Sequence, residues 1–145
     1  MSVWYDVHGE GPAVLLLHAG VADSRMWEPQ LRSFTSSHTV LRVDLPGFGR
    51  SPFESKLVSY RGAVREALDV AGIDRAAVVG VSLGGNRALD LALESPERVS
   101  ALVLVGAGLP DHDWSEIVTS YFAAERRRSS AVISMPRSRR TCAHG

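Results

Sequence analysis

Gly80-Val81-Ser82-Leu83-Gly84 stands between a continuous apolar run, Ala76 to Val81, and a segment of helical periodicity from Leu83 to Leu91. A short unbroken apolar run reads as a strand buried on both faces, so the pentapeptide sits at a strand-to-helix turn. A serine at such a turn is held in strained backbone geometry, and glycines two residues to either side, Gly80 and Gly84, let the chain pass without a Cβ clash. The hydroxyl then stands above the C-terminal edge of a sheet. The helix start behind it turns N–H groups and a positive dipole end toward developing negative charge. Leu83 N–H is the first donor that such a charge would meet.

The flanking sequence repeats the same alternation. Ala13 to His18 (AVLLLH), Val40 to Leu45 (VLRVDL) and Val99 to Val105 (VSALVLV) are further buried runs, and Val3 to Val7, ahead of the turn Gly9-Glu10-Gly11-Pro12, reads as an edge strand. Between them lie helical segments. Asp23 or Ser24 can cap one that carries Trp27, Leu31 and Phe34 on one face. Ser55 can cap another, with Leu57, Tyr60, Val64, Leu68 and Ala71 on one face and Gly72 at its end. The expected fold class is α/β: a mainly parallel sheet with helices on both faces. Asp113 or Ser115 can cap a last helix, reaching Tyr121 to Glu125.

With these residues in place, the segments LLLHAG (15–20), DSRMW (23–27), DLPGFGRS (44–51) and GVSLGG (80–85) resemble the α/β-hydrolase family, specifically its small serine hydrolases, from about Val3 to Asp113. The resemblance implies Ser82 as nucleophile, with the N–H groups of Val21 and Leu83 as oxyanion donors and Gly80 and Gly84 as the elbow glycines. It implies a carboxylic ester or lactone as the small-molecule substrate and no cofactor. Serine at the elbow, in place of aspartate, argues against the dehalogenase and epoxide-hydrolase branches. Family strand order places 40–45 beside 13–18, then 76–81, then 99–105. Ala19 departs from the glycine often found after the motif histidine. The family takes its catalytic acid and histidine from loops after later strands, beyond the 145 residues, so the fold is expected to be incomplete and hydrolysis lost or impaired. The alternative reading is a non-catalytic fragment or interaction module of the same lineage.

Other bases and acids are poorly placed for a triad. His8 and His38 fall near strand starts, at the opposite edge from Ser82. His18 is better explained by a structural hydrogen bond. His112, in Asp111-His112-Asp113, follows the Val99 to Val105 run on the catalytic side and is a weaker candidate, because sequence neighbours seldom orient one another well; the resemblance keeps Asp111 and Asp113 as weaker candidates, since some family members place the acid after this strand. Asp44 is expected to accept hydrogen bonds from loop N–H groups. The glycines of 47–49 and 80–85 match neither a dinucleotide loop nor a P-loop.

Composition narrows the remaining classes. A chain of 145 residues fits one modest domain, and its single cysteine, Cys142, makes no internal disulfide and joins no cluster with zinc spacing. No basic-then-apolar leader and no membrane-length apolar run is present, so the expectation is a cytoplasmic protein with no membrane partner. The zero net charge hides an asymmetry: residues 1–125 hold all 16 acidic residues and ten basic ones, while 126–145 hold six arginines and no acid. The expected organisation is a partial hydrolase domain over 1–125 and a basic, disordered tail over 126–145. The tail has neither the aromatic spacing of a nucleic-acid binder nor an amphipathic period, so no nucleic-acid partner is expected. A reading frame lost near Glu125 would account for the abrupt change. With no later strand beside it, the Val99 to Val105 edge is open to self-association.

Overall fold

The computed structural model describes residues 3–52, 60–108 and 112–124. The chain divides into two units, Met1–Leu109 and Pro110–Gly145. The first holds five strands, β1 (Tyr5–His8), β2 (Ala13–Leu17), β3 (Thr39–Val43), β4 (Ala76–Val81) and β5 (Val99–Val105). Its helices are α1 (Glu28–Thr35), α2 (Tyr60–Val70) and α3 (Leu83–Glu94). In the second unit residues 116–124 are helical, α4. The expected cap at Ser55 and the residue Leu57, Asp111, and the basic tail all lie outside the described residues.

The strands form one sheet in the order β1-β3-β2-β4-β5. Four are parallel, and β1 closes one edge antiparallel to β3, with Tyr5 opposite Val43 and His8 opposite Val40. This is the order expected from the resemblance. The continuous apolar runs are buried on both faces because each face has its own helical cover. Leu15, Leu17, Leu41, Val43 and Val78 pack with Val64, Leu68 and Leu91 of α2 and α3, while Val14, Leu16 and Val40 pack with Trp27, Leu31 and Phe34 on the α1 side. Leu15, Leu16 and Leu17 are wholly enclosed at the centre of the sheet. Each such leucine contributes roughly 1.5–3 kcal/mol by leaving water.

Several boundaries differ from the periodicity, the first strand running over Tyr5–His8 where Val3 to Val7 was expected. Asp23 does cap a helical turn, its side chain accepting from Arg25 N–H, but that turn is a 3₁₀ segment, Ser24–Trp27. The α-helix begins only at Glu28, where Pro29 suits the first turn because it has no N–H to satisfy. His18, Asp44 and Leu45 fall just past their strands. Their polar groups are therefore free to tie loops together.

One buried charge was not anticipated. Arg42 on β3, 4% exposed, donates through Nε to Asp6 Oδ1 at 2.9 Å and through Nη1 to Glu28 Oε1 at 2.7 Å. His8 Nε2 lies 3.0 Å from Asp6 Oδ2. Burial pushes the Asp6 carboxyl up, and the hydrogen bonds from Arg42 and His8 outweigh it, holding it below its ordinary value. The cluster fastens β1 and the start of α1 to β3.

Candidate active site

The strand order sets where the turn after β4 stands. β2 and β4 are neighbours, but β2 runs on to a helix on one face and β4 to a helix on the other, so their C-terminal ends part at a switch point. Register sets what faces what. Leu17 pairs with Gly80, which brings the loop after β2 alongside the turn after β4.

Ser82 occupies that turn with φ 51° and ψ −112°, the only non-glycine with positive φ among the described residues. A β-carbon is poorly tolerated there, and such geometry persists only where the surroundings enforce it. Ser82 N–H donates to Val105 O at 2.8 Å, tying the turn to the end of β5, and Ser82 O accepts from Asn86 N–H at 3.0 Å as the first bond of α3. Glycine is required on both sides. A β-carbon on Gly80 would strike the Gly84 carbonyl oxygen and come within 2.7 Å of Gly85 Cα. One on Gly84 would strike Leu17 O and stand 2.6 Å from His18 O. The serine itself is exposed. Leu83 opens α3, and its N–H is among those with no acceptor inside the helix.

The loop from Ala19 to Ala22 lies against this helix start: a β-carbon on Gly20 would sit 3.3 Å from Leu83 Cβ. Ala22 N–H donates to Ala19 O at 3.1 Å, closing a turn whose central residues are Gly20 and Val21. The turn's own bond leaves the Val21 N–H unused. Val21 is 98% exposed.

Several buried polar groups fix that loop. His18 is fully buried, its Nε2 accepting from Leu45 N–H at 2.9 Å and its Nδ1 paired with Ala19 O at 2.8 Å. These partners assign the proton to Nδ1 and occupy both nitrogens, so the ring is a brace between two loops. Asp44, also fully buried, accepts from Ser24 N–H at 2.8 Å and from Arg50 N–H at 2.9 Å and Nε at 3.1 Å. Burial raises its pKa, but the hydrogen bonds from Ser24 and Arg50 prevail and hold it below the ordinary value. Arg50 also reaches Ser24 Oγ and lies over the Trp4 ring. Ser51 Oγ donates to Asp44 O and accepts from Trp4 N–H. Sequence reasoning anticipated Asp44 as an acceptor but not the Arg50–Trp4–Ser51 contacts. The paired aspartate and arginine within DLPGFGRS were the available signal.

The other histidines of the first unit sit away from Ser82. His8 ends β1, opposite the N-terminal end of β3, and His38 precedes β3, its Nδ1 2.9 Å from Ser37 Oγ. His112 and Asp113 belong to the second unit, where the His112 ring meets Trp114 edge-on at 4.6 Å. The structure thus groups Ser82, Leu83, Gly80, Gly84 and the Val21 loop; of the described histidines of residues 3–108 only His18 adjoins them, through its backbone carbonyl beside Gly84, with both ring nitrogens bonded to Ala19 O and Leu45 N–H.

Comparison with known proteins agrees with this geometry. Residues 12–126 match the family model for the alpha/beta hydrolase fold. The chain is similar to a 2-hydroxy-6-oxo-6-phenylhexa-2,4-dienoate hydrolase of Comamonas testosteroni, 36% identical over a 115-residue match that covers 73% of this chain and 40% of that protein once gaps are left out. It is similar to a pimeloyl-(acyl-carrier protein) methyl ester esterase of Legionella pneumophila (strain Paris), 30% identical over a 125-residue match that covers 84% of this chain and 50% of the esterase. Among solved structures, an N-acyl homoserine lactone degrading enzyme superimposes with a TM-score of 0.71 at 29% identity, covering 85% of this chain and 51% of that one. The chain spans about half the length of the relatives it matches. A family model covering most of the sequence, together with the same strand order and a strained serine at the strand-to-helix turn, makes this chain a member of the alpha/beta hydrolase fold family.

Proposed function

We propose that residues 1–125 are the nucleophile-bearing part of a serine hydrolase acting on a carboxylic ester or lactone, with 126–145 an appended basic tail. The observation that carries the reading is the backbone of Ser82, forced to positive φ at the end of β4 with its side chain exposed. Strain of that kind presents an Oγ above the sheet edge for attack on a carbonyl carbon. Attack forms a tetrahedral intermediate whose oxyanion is held by the Leu83 and Val21 N–H groups, and its collapse expels the alcohol and leaves an acyl-serine for water to cleave. The activities for which the similar methyl ester esterase and lactone-degrading enzyme are named support the substrate class.

The base is the weak point. A serine hydroxyl needs an oriented histidine, and His8, His18 and His38 are all engaged elsewhere. His112, with Asp111 or Asp113, is a weaker candidate within the chain. Hydrolysis by the 145 residues alone is therefore expected to be impaired, by as much as roughly 10⁴–10⁶-fold relative to a complete triad. An ester hydrolysis assay comparing the chain with Ser82→Ala, alongside labelling by a fluorophosphonate probe, tests this. Labelling confined to the serine form supports the nucleophile, and equal rates with no labelling would leave the non-catalytic reading.

That second reading, an interaction module, is favoured by β5. Among the described residues it is the last strand of the sheet, and its Val103 and Val105 are each half-exposed. An open apolar edge suits pairing with a second chain.

A further inference from the structure

Two residues of the segment DSRMW, Asp23 and Ser24, already have a place in the loops beside Ser82. Its methionine has a contact of its own: Met26 Sδ accepts from Ala19 N–H at 3.4 Å. A thioether is a weak acceptor, so this bond matters through where it lies. The partners are seven residues apart, and Val21 stands between them.

The Met26 end of that loop is firmly held. Met26 N–H donates to Asp23 O at 3.0 Å within the 3₁₀ turn, and Ser24 N–H donates to the buried Asp44. The Met26 side chain packs against the cluster of Val14, Leu16, Trp27 and Val40. At the other end, Ala19 O accepts from Ala22 N–H and pairs with His18 Nδ1. Those bonds fix the peptide after Ala19, and Met26 fixes the one before it. The two peptides together aim Gly20 at Leu83, the contact that brings the Val21 turn to the start of α3.

We propose that Met26 is a positioning residue for the oxyanion site. By accepting from Ala19 N–H it closes the base of the loop and holds the Val21 N–H beside that of Leu83, a role that rests on Ser82 being the nucleophile and Val21 N–H an oxyanion donor. Such a donor acts through its distance to the developing charge, and a misplacement of about 1 Å can cost as much as roughly 10²-fold in rate. A weak bond suffices for this, because it has only to favour one arrangement of an otherwise exposed turn.

The test compares Met26→Leu, which keeps the volume and removes the acceptor, with Met26→Gln, whose amide oxygen supplies one again, in the full 145-residue chain. Far-ultraviolet circular dichroism and urea midpoints check that both fold. Nuclear magnetic resonance without substrate reads the loop itself. Met26→Leu should speed exchange of Ala19 N–H by about threefold or more and weaken the NOE between Gly20 Hα and the Leu83 methyls, and Met26→Gln should restore both. Fluorophosphonate labelling of Ser82 reads the consequence. In Met26→Leu the maximal labelling rate should fall by about tenfold, with the half-saturating probe concentration little changed, and Met26→Gln should recover most of it. Unchanged exchange in Met26→Leu, or losses that Met26→Gln does not restore, would reduce Met26 to packing and overturn the proposal. Faster exchange with equal labelling in all three forms would overturn the positioning role as well. A wild type that takes no label overturns the nucleophile reading and the catalytic role of Met26 with it, and exchange at Ala19 still decides whether Met26 closes the loop.

Discussion

Ser82 carries a β-carbon at φ 51°, where glycine belongs. Such a residue costs of the order of 1–3 kcal/mol, and glycine would relieve it while losing about 0.4–1 kcal/mol to the greater freedom of the unfolded chain. Strain wins, so Ser82→Gly should stabilise the protein by about 1 kcal/mol, whereas Ser82→Ala keeps the strain and should change stability by less than about half of that. Urea midpoints of the two variants check this, and a serine that proved more stable than glycine would mean the turn is not strained. Asp44 titrates in the opposite sense to a buried carboxyl without partners. Its folded pKa lies below the unfolded 3.8, so its contribution is complete well above that value and is lost as pH falls through it toward the lower folded value. Asp44→Asn should cost about 2 kcal/mol at neutral pH, since Arg50 is half-exposed and can rehydrate, and the gap from wild type should narrow below pH 4 in acid-denaturation curves.

At the scale of elements, the glycines of the turn are packing constraints. Gly84→Ala would push a β-carbon onto Leu17 O, which belongs to the central strand and cannot withdraw, so a loss of about 3 kcal/mol or more is expected in thermal or urea unfolding. If Gly84→Ala unfolds like wild type, α3 does not pack against β2 as closely as described. The same tightness explains why the elbow could be read from the sequence: Gly80, Ser82 and Gly84 have no common alternative explanation at a strand-to-helix junction. β4 and β5 were legible residue for residue because burial on both faces leaves an unbroken apolar run. The start of α1 was not, because Trp27 and Leu31 keep helical spacing across the 3₁₀ turn and only Pro29 marks the change. Arg42 was missed for another reason. Its partners Asp6 and Glu28 lie 36 and 14 residues away, and nothing in VLRVDL says which face a charge will occupy or what will meet it.

For the molecule as a whole, the sheet is bounded among the described residues by β1 at one edge and by β5 at the other. β1 closes the first, short and with its charged residues clustered against β3. β5 leaves the second as seven residues, VSALVLV, with no charge, proline or glycine. Natural edge strands are usually blunted by such residues, and among the described residues no strand pairs with the outer side of β5, whose Val103 and Val105 are exposed. A second β5 running antiparallel about Leu102 would place Val99 against Val105 and Ala101 against Val103, aligning uncharged residues throughout. Sedimentation velocity should therefore show concentration-dependent association at micromolar chain. Val103→Lys, which sets two like charges near each other across such a pairing, should shift it toward monomer by roughly tenfold in dissociation constant. A monomer at all concentrations, or association that Val103→Lys does not weaken, would remove β5 as a docking edge and with it the support for the interaction-module reading.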